Sequence, residues 1–215
     1  MDARPGVDCP PWDYKATPGY DAILAARAKD ILQRLRGWND IQQTRTATDT
    51  RGLHRSYFIG LTPPGVDYYA GHYRGEPFRC LSDYEVQIHG DPDVGHTAAS
   101  IPFEMGEFAK QILAVVGELD FLWTINNAVM PREQQIYRTI ELAAAVLVAF
   151  LEIHPFADGN GHMGRFILLC ILSRYHVYLK RFPLHPRPNP PYVDLIPAYR
   201  RGNPRALEQF ILECI

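Results

Sequence analysis

Two long apolar segments with a polar loop between them dominate the pattern of the chain. Residues 136–153 and 166–172 are almost wholly apolar, which predicts two buried helices. Pro155 cannot lie inside the first helix without the loss of a hydrogen bond, and Gly159 and Gly161 permit the turn that begins the second. We therefore expect a short polar loop that joins two buried helices.

Apolar residues recur at helical spacing in four other segments. The predicted helices are residues 21–36, with Asp21 as the N-cap and Gly37 as the stop, residues 102–119, residues 192–201 and residues 203–214. Residues 1–19 are rich in proline and predict an irregular arm. Residues 38–53 are polar with weak periodicity, and the pattern leaves open whether they form an exposed helix or a segment bound to something else.

The segment of residues 54–90 has a different pattern. Residues 68–75 and 84–88 are short alternating runs rich in aromatic or β-branched residues, and a connection with Gly, Pro and Ser joins them. Such a pair predicts a β-hairpin. Two strands alone are marginally stable, so the hairpin has to lie on the helical body. The predicted fold class is mainly α, a helical bundle that carries a small β-hairpin.

Composition and charge narrow the class of protein. The chain has 215 residues, of which 47% are hydrophobic and 21% are charged, as is ordinary for one globular domain. Its 22 Lys and Arg residues against 24 Asp and Glu residues give a formal net charge of −2. This charge provides no general attraction for nucleic acid or for an anionic membrane, so we expect neither as a partner.

The four cysteines are scattered along the chain. Cys9, Cys80, Cys170 and Cys214 form no CxxC pair and have no His at metal-ligand spacing, which predicts free thiols in a reducing compartment. The first residues show no basic stretch followed by an apolar one, and the longest apolar run, residues 142–151, is about half of what spans a bilayer. The expectation is a soluble, cytoplasmic protein.

The loop of residues 154–165 contains the candidate chemistry. It places a histidine, a carboxylate, a glycine-rich turn and an arginine within twelve residues. The backbone amides of residues 159–162 are predicted to be unpaired donors in the first turn of the second buried helix, with the helix dipole behind them. A di- or triphosphate is the anion that fits such a site best.

This loop resembles the signature of the Fic (filamentation induced by cAMP) domain family. The run His154-Pro-Phe-Ala-Asp-Gly-Asn-Gly-His-Met-Gly-Arg165 matches seven of the eight specified positions of His-x-Phe-x-Asp/Glu-Gly-Asn-Gly-Arg-x-x-Arg. A weaker likeness links residues 71–74 and 86–88 to the family's flap hairpin and residues 199–210 to its closing helices. The resemblance implies a Fic-type helical bundle at residues 61–215, with residues 1–60 as an N-terminal arm and helices packed on it.

The resemblance also implies an activity. Fic proteins mostly transfer AMP from ATP onto a Ser, Thr or Tyr hydroxyl of another protein, which requires a base for the hydroxyl and charge neutralisation at the phosphates. His154 would be the base, since a His can take up a proton near neutral pH. Asp158 would bind Mg²⁺ together with phosphate oxygens of ATP. Position alone also fits a His paired with a helix C-terminal carbonyl and an Asp that caps a helix.

Further residues are implied to bind the nucleotide and the target. Gly159, Asn160 and Gly161 would form the anion hole, Arg165 would grip the distal phosphate, Tyr192 and Tyr199 would contact adenine, and Tyr73 and Arg74 in the flap would align the target by strand addition. The structural alternatives are a tight turn for the Gly-Asn-Gly run, a surface salt bridge for the arginine, packing for the two C-terminal tyrosines and an ordinary edge hairpin for the flap.

His162 departs from the signature, because the family has its first Arg at this position. Arg offers a permanently charged bidentate fork for phosphate, whereas His is shorter and mostly neutral at pH 7. The change implies slower adenylylation, a different nucleotide or phosphate-containing donor, or a nucleotide-binding module that keeps the fold without transferase activity. Gly161 is retained where the family's kinase-like members have Lys, so AMP transfer is the leading interpretation.

Other motifs fail on specific residues. A Ca²⁺ loop that starts at Asp158 would need Glu where Leu169 stands, and neither GxxxxGK[ST] nor GxGxxG follows a strand. Many Fic proteins block the last Arg of the signature with the Glu of a Ser/Thr-x-x-x-Glu-Gly/Asn helix. Here Glu104 is followed by Met105, so we expect a separate antitoxin-like inhibitor or control of another kind.

Overall fold

Eight α-helices and one two-stranded sheet make up the regular structure of the residues that the computed structural model describes, which are 2–4, 9–87, 94–125 and 128–215. The helices are α1 (Tyr20–Gly37), α2 (Asp40–Thr48), α3 (Arg51–Phe58), α4 (Ile101–Thr124), α5 (Arg132–Ile153), α6 (Asn160–Arg174), α7 (Tyr192–Arg200) and α8 (Pro204–Leu212). The strands β1 (Asp2–Arg4) and β2 (Glu85–Gln87) pair antiparallel. The predicted mainly α class is confirmed.

Helices α5 and α6 lie at the centre of the core. Nearly every side chain of α6 is buried, and the helix packs on α5 and α2. Gly164 allows α5 and α6 to approach closely, because a Cβ at this position would lie 2.9 Å from Cδ1 of Leu147. The two predicted buried helices and the polar loop between them are confirmed. In the described part of the chain, no helix is long and apolar enough to cross a membrane.

The polar segment that the pattern left undecided forms α2 and the beginning of α3. A capping box begins α2: the side chain of Asn39 accepts a hydrogen bond from the backbone N–H of Gln42 at 2.9 Å, and the Gln42 side chain accepts one from the backbone N–H of Asn39 at 3.0 Å. The helix predicted to start at Asp21 is present as α1. Its N-cap is Gly19, so the predicted capping role of Asp21 is wrong.

The predicted hairpin is wrong. β2 pairs with β1, and the first predicted strand is replaced by a 3₁₀ turn at Asp67–Tyr69 followed by irregular turns. The aromatic residues that suggested a strand are inside for another reason, since Tyr69 and Tyr73 pack into the core from these turns. The alternating pattern of residues 68–75 therefore reflects burial of these side chains and not an extended backbone. Residue 88, the end of the second predicted strand, lies outside the described residues.

Two of the four cysteines form a disulfide. The sulfur atoms of Cys9 and Cys80 are bonded, with their Cα atoms 5.5 Å apart, whereas Cys170 and Cys214 are free and buried. The prediction of four free thiols is therefore wrong. The two bonded residues are 71 positions apart, and only the folding of the N-terminal arm onto the segment around Cys80 brings them together.

We expect the double substitution Cys9→Ser and Cys80→Ser to lower the free energy of unfolding by about 2–4 kcal/mol, because the bond closes a long loop in the unfolded chain. Chemical denaturation without reductant measures the difference. Wild-type protein in reductant should match the double variant. A thiol reagent added to denatured protein should modify two cysteines before reduction and all four after it. Four reactive thiols before reduction would contradict the disulfide.

Candidate active site

The loop between α5 and α6 is held in one shape by the side chain of Asn160. Its Oδ1 accepts a hydrogen bond from the backbone N–H of Phe156 at 2.8 Å, and its Nδ2 donates one to the carbonyl oxygen of Phe156 at 2.8 Å. Both ends of the buried amide are thus paired with the backbone of one residue. At the start of the loop, His154 ends α5 with φ 55, in the left-handed region that few residues other than glycine adopt.

His154 has the tautomer that a base needs. Its Nδ1 lies 3.0 Å from the carbonyl oxygen of Leu151, which can only accept, so Nδ1 carries the proton and Nε2 carries the lone pair. Nε2 is enclosed and has no hydrogen-bond partner in the part of the chain that the structure describes. Burial lowers the pKa of His154 to about 4, which keeps the ring neutral at pH 7.

The carboxylate of Asp158 lies against two backbone donors. Oδ2 accepts a hydrogen bond from the N–H of Tyr14 at 3.0 Å, and Oδ1 accepts one from the N–H of Gly159 at 2.7 Å. Burial raises the pKa of Asp158 to about 6, and the two hydrogen bonds act in the opposite direction. Each carboxylate oxygen has a second lone pair, so the group keeps the capacity to bind a cation.

The first turn of α6 presents free backbone donors. The N–H groups of Asn160 and Gly161 have no acceptor among the described residues, whereas those of Gly159 and His162 are paired. The prediction of unpaired amides at residues 159–162 therefore holds for two of the four. Gly159 is the N-cap with φ 80, and a Cβ there would lie 2.4 Å from Cε2 of Phe58, so this position requires glycine.

These groups face a cavity of about 1190 Å³ between the loop and the N-terminal arm, which we define as residues 9–18. Six of the predicted residues line it: Asp158, Gly159, Asn160, Gly161, His162 and Arg165. The other five, which are His154, Tyr73, Arg74, Tyr192 and Tyr199, are not part of its lining. The cavity thus brings together the residues predicted to bind phosphate and metal, without the predicted base.

Arg165 supplies a buried positive charge to the cavity. Its Nε and Nη2 donate hydrogen bonds to the carbonyl oxygen of Leu184 at 3.2 and 2.8 Å. The Nη1 atom of Arg165 lies close to Gly161 in the first turn of α6. A Cβ at Gly161 would be 3.3 Å from this atom. Lys15 and Arg187 also line the cavity. Three carboxylates line the cavity as well, so it is the end with Arg165 and the two free amides of α6 that suits an anion.

His162 does not add to this positive charge. Burial, followed by the charge of Arg165, lowers the pKa of His162 well below its usual value, so the ring is neutral at pH 7. Its Nε2 lies 3.1 Å from Nδ1 of His185, and the rings of Tyr14 and Tyr57 pack against it at centroid distances of 5.6 and 5.2 Å. The Arg of the family signature is replaced by an uncharged group in aromatic surroundings.

The two residues predicted to contact the target are buried. Arg74 is enclosed, and its Nε and Nη2 donate hydrogen bonds to the carbonyl oxygen of His154 at 2.9 and 2.8 Å. The ring of Tyr73 packs on Phe156 with centroids 4.8 Å apart. These side chains connect the turns around residue 74 to the loop between α5 and α6, and alignment of a target by this segment stays a prediction.

The two tyrosines predicted to contact adenine pack in the core. Tyr192 is buried between Phe182 and Phe210, with ring centroids 5.4 and 6.0 Å away. Tyr199 is partly buried against the hydrophobic core. The structure shows packing for both residues, and the adenine contact stays a prediction.

Sequence reasoning missed His54, a histidine on the buried face of α3. Its Nδ1 accepts a hydrogen bond from the N–H of Gly71 at 3.0 Å, so Nε2 carries the proton and donates to the carbonyl oxygen of Asp158 at 3.0 Å. Its ring stacks on Phe156 with centroids 3.7 Å apart. Burial lowers the pKa of His54 to about 3, which maintains this neutral form. His54 therefore connects α3, the turn at Gly71 and the loop between α5 and α6.

Sequence reasoning also missed the place of the N-terminal arm. The indole Nε1 of Trp12 donates a hydrogen bond to the carbonyl oxygen of Leu61 at 2.8 Å, which anchors the arm beside the cavity. Two residues later, the N–H of Tyr14 reaches Asp158. Burial and the charge of Asp158 raise the pKa of Tyr14 to about 12, so the phenol is protonated. The prolines indicated irregular structure but not where the arm packs.

The donors fit a metal ion that is bound jointly with a nucleotide. Among the described residues, no group of three or more His, Cys, Asp or Glu side chains is arranged to hold a metal ion. Asp158 is a single carboxylate beside the free amides of Asn160 and Gly161. Mg²⁺ is commonly held by one or two carboxylates together with substrate phosphates and water. Asp158 is therefore suited to Mg²⁺ with a nucleotide and not to a structural metal.

The raised pKa of Asp158 predicts a dependence of stability on pH. A carboxyl group with a folded-state pKa of about 6 and an ordinary value of 3.8 stabilises the fold when protonated, and the contribution is lost as pH rises through 6. Asp158→Asn should therefore be up to about 3 kcal/mol more stable relative to wild type at pH 8 than at pH 4. Urea unfolding at both pH values measures this. The control is Asp13→Asn, which removes an exposed carboxylate of the N-terminal arm in place of a buried one.

We expect His54→Phe to lower the free energy of unfolding by roughly 2–6 kcal/mol, because it keeps a ring on Phe156 but leaves two buried backbone groups unpaired at about 1–3 kcal/mol each. Thermal or urea unfolding measures the loss. His96→Phe is the matched control, since its side chain is 31% exposed, and we expect a change within about 0.5 kcal/mol. Equal effects of the two substitutions would contradict the bridging role of His54.

Comparison with known proteins gives two relatives and one family. A protein adenylyltransferase Fic of Aedes aegypti is 25% identical over 186 residues, which are 81% of this chain and 35% of that protein. A Fido domain-containing protein of Dictyostelium discoideum is 53% identical over 34 residues, which are 16% of this chain and 24% of that protein. The chain therefore spans about a third of the length of the adenylyltransferase that it matches.

Residues 44–172, more than half of the chain, match the Fic/DOC family. The match begins within the segment predicted as N-terminal arm and helices, and the predicted boundary between residues 60 and 61 stays a prediction. Helix α5, the loop with its signature and α6 as far as residue 172 lie within the match. The resemblance read from that signature is confirmed, and the chain belongs to the Fic/DOC family.

Proposed function

We propose that this chain is a protein adenylyltransferase that transfers AMP from ATP to a Ser, Thr or Tyr hydroxyl of a target protein. Membership of the Fic/DOC family and the adenylyltransferase from Aedes aegypti support transferase chemistry in general. The observation that carries the proposal is the cavity at the start of α6, where the Asp158 carboxylate, two free backbone amides and Arg165 meet. This set of donors and charges suits a Mg²⁺-bound polyphosphate.

The residues of the cavity would act mainly by stabilising the negative charge on the phosphate groups. Phosphoryl transfer spreads negative charge over the phosphate oxygens, and the protein accelerates it by positioning and by electrostatic stabilisation. The N–H groups of Asn160 and Gly161 would donate to these oxygens, with the dipole of α6 behind them. Arg165 would add a fixed positive charge. Mg²⁺ held by Asp158 would neutralise further charge on the phosphates.

His154 is the proposed base for the target hydroxyl. The hydrogen bond of its Nδ1 to the carbonyl of Leu151 leaves the lone pair on Nε2, and burial keeps the ring unprotonated at pH 7. Nε2 is enclosed, so a hydroxyl reaches it only if the surrounding side chains move. We propose that binding of the target segment opens this position.

His162 supports a second candidate function. The neutral ring lacks the charged bidentate contact that Arg makes with phosphate, and a hydrogen bond to a charged group contributes about 1.5–3 kcal/mol. A Fic scaffold with a different phosphate-containing donor, or one that binds nucleotide without transfer, would also fit this change. The labelling experiment below separates these outcomes.

The proposed partners are ATP with Mg²⁺ and a protein target, and a separate antitoxin-like inhibitor stays a prediction. The net charge of −2 gives no reason to add nucleic acid to these partners. The cytoplasmic location was predicted in part from four free thiols, and it stays a prediction. The bond between Cys9 and Cys80 removes that basis, since disulfides persist mainly in oxidising compartments.

We expect purified protein with Mg²⁺ and ATP labelled on the α-phosphate to label itself or an added target, and ATP labelled on the γ-phosphate to give no labelled protein. His154→Ala should abolish the labelling. Its affinity for ATP by calorimetry should change less than about threefold, because a base acts on the hydroxyl and contributes little to ground-state binding of the nucleotide.

The control for this experiment is His96→Ala, at a partly exposed histidine outside the cavity, which should keep the label. Label from the γ-phosphate alone would rule out AMP transfer. ATP binding without label from either position would favour the second candidate. A large loss of ATP affinity in His154→Ala would count against its role as base.

A further inference from the structure

The side chains of His162, His185 and Asp21 form a hydrogen-bonded relay from the cavity wall to the protein surface. Nε2 of His162 lies 3.1 Å from Nδ1 of His185, and Nε2 of His185 lies 3.0 Å from Oδ1 of Asp21. The side chain of His185 is 7% exposed and that of Asp21 is 74% exposed. His162 is in α6, His185 is in the loop that precedes α7, and Asp21 is in α1. Of these three residues, only His162 enters the proposed transfer.

The carboxylate at the surface determines where the protons lie. An ionised carboxylate can only accept, so Nε2 of His185 donates to Asp21. Nδ1 of a neutral His185 is then an acceptor, and Nε2 of His162 must donate to it. The lone pair of His162 therefore remains on Nδ1. The reverse order would require a proton on the exposed Asp21 or a second proton on His185.

Nδ1 of His162 is the ring nitrogen of the two histidines that stays without a protein partner among the described residues, so it can meet a ligand. His162 lines the cavity, and its Nδ1 has no hydrogen-bond partner within the described ranges. It is also not among the enclosed polar atoms, in contrast to Nε2 of His154. An acceptor thus faces the cavity at the position where an Arg would present donors.

We propose that Asp21 and His185 position His162 as a hydrogen-bond acceptor for the substrate, so that the cavity takes a hydroxyl or other N–H or O–H donor group at this point. A phosphate oxygen carries lone pairs and negative charge, and it is disfavoured beside the lone pair of Nδ1. The substrate class is a nucleotide with a donor group here and its phosphates toward Arg165 and the amides of α6. This assignment rests on the proposed function for the nucleotide, and the order of protons stands without it.

The tautomer of His162 is measurable without any ligand. Long-range ¹H–¹⁵N NMR of protein labelled at histidine shows which ring nitrogen carries the proton, and the loss of signals in His162→Gln assigns the ring. We expect the proton on Nε2 in wild type. In Asp21→Ala, which removes an exposed side chain, we expect a mixture of both forms. A wild-type proton on Nδ1, or a tautomer that Asp21→Ala leaves unchanged, would overturn the proposal.

Binding of inorganic pyrophosphate with Mg²⁺, followed by calorimetry, tests the consequence for the cavity. Asp21→Ala frees His162 to present an N–H, so its affinity for pyrophosphate should rise by about threefold to tenfold, as expected for one neutral hydrogen bond. Asp13→Asn removes an equal charge from the cavity lining without a link to His162, and its affinity should rise less. In the background of His162→Gln, Asp21→Ala should raise the affinity no more than Asp13→Asn does.

The outcomes distinguish the relay from its alternatives. Equal gains for Asp21→Ala and Asp13→Asn would show a general charge effect and overturn the relay. A gain that persists undiminished in the His162→Gln background would overturn it too. None of these measurements depends on transfer of AMP, so an inactive protein with the expected tautomer and affinities would reject the proposed function and leave the relay intact.

Discussion

The burial of a polar loop between α5 and α6 is the constraint on which the rest of the site depends. A polar group that loses water costs free energy unless it finds a partner, and most buried groups in folded proteins are paired. Asn160 pairs with the backbone of Phe156, Arg74 pairs with the carbonyl of His154, and His54 pairs with the carbonyl of Asp158. Three side chains from three parts of the chain thus satisfy a loop that could not be buried alone.

The groups that remain unpaired stand out against this background. Three of them, within the described part of the chain, are the lone pair of His154 Nε2 and the backbone N–H groups of Asn160 and Gly161. The first is an acceptor and the other two are donors. AMP transfer needs an acceptor for a hydroxyl proton and donors for phosphate charge, so the unpaired groups have the polarity that the proposed reaction requires.

The sequence predicted the parts of this arrangement that are local. The apolar runs predicted α5 and α6, and the loop between them carries its signature in consecutive residues, so neither depended on distant contacts. The bond from Cys9 to Cys80 and the contact of His54 with Asp158 join residues 71 and 104 positions apart. Periodicity shows that a side chain is buried but not what it is buried against. The pattern around Tyr69 and Tyr73 therefore predicts a strand, although both residues pack into the core from turns.

The change at His162 and the packing of the N-terminal arm are physically coupled. An Arg at this position would place a second guanidinium beside the buried Arg165, among the rings of Tyr14, Tyr57 and Phe58, where removal of water from the charge is costly. A neutral imidazole packs there without that cost. The same arm that supplies Tyr14 to this aromatic wall also brings its N–H to Asp158. The residues ahead of the family match therefore shape the end of the cavity at the start of α6, and the departure at His162 belongs to that arrangement.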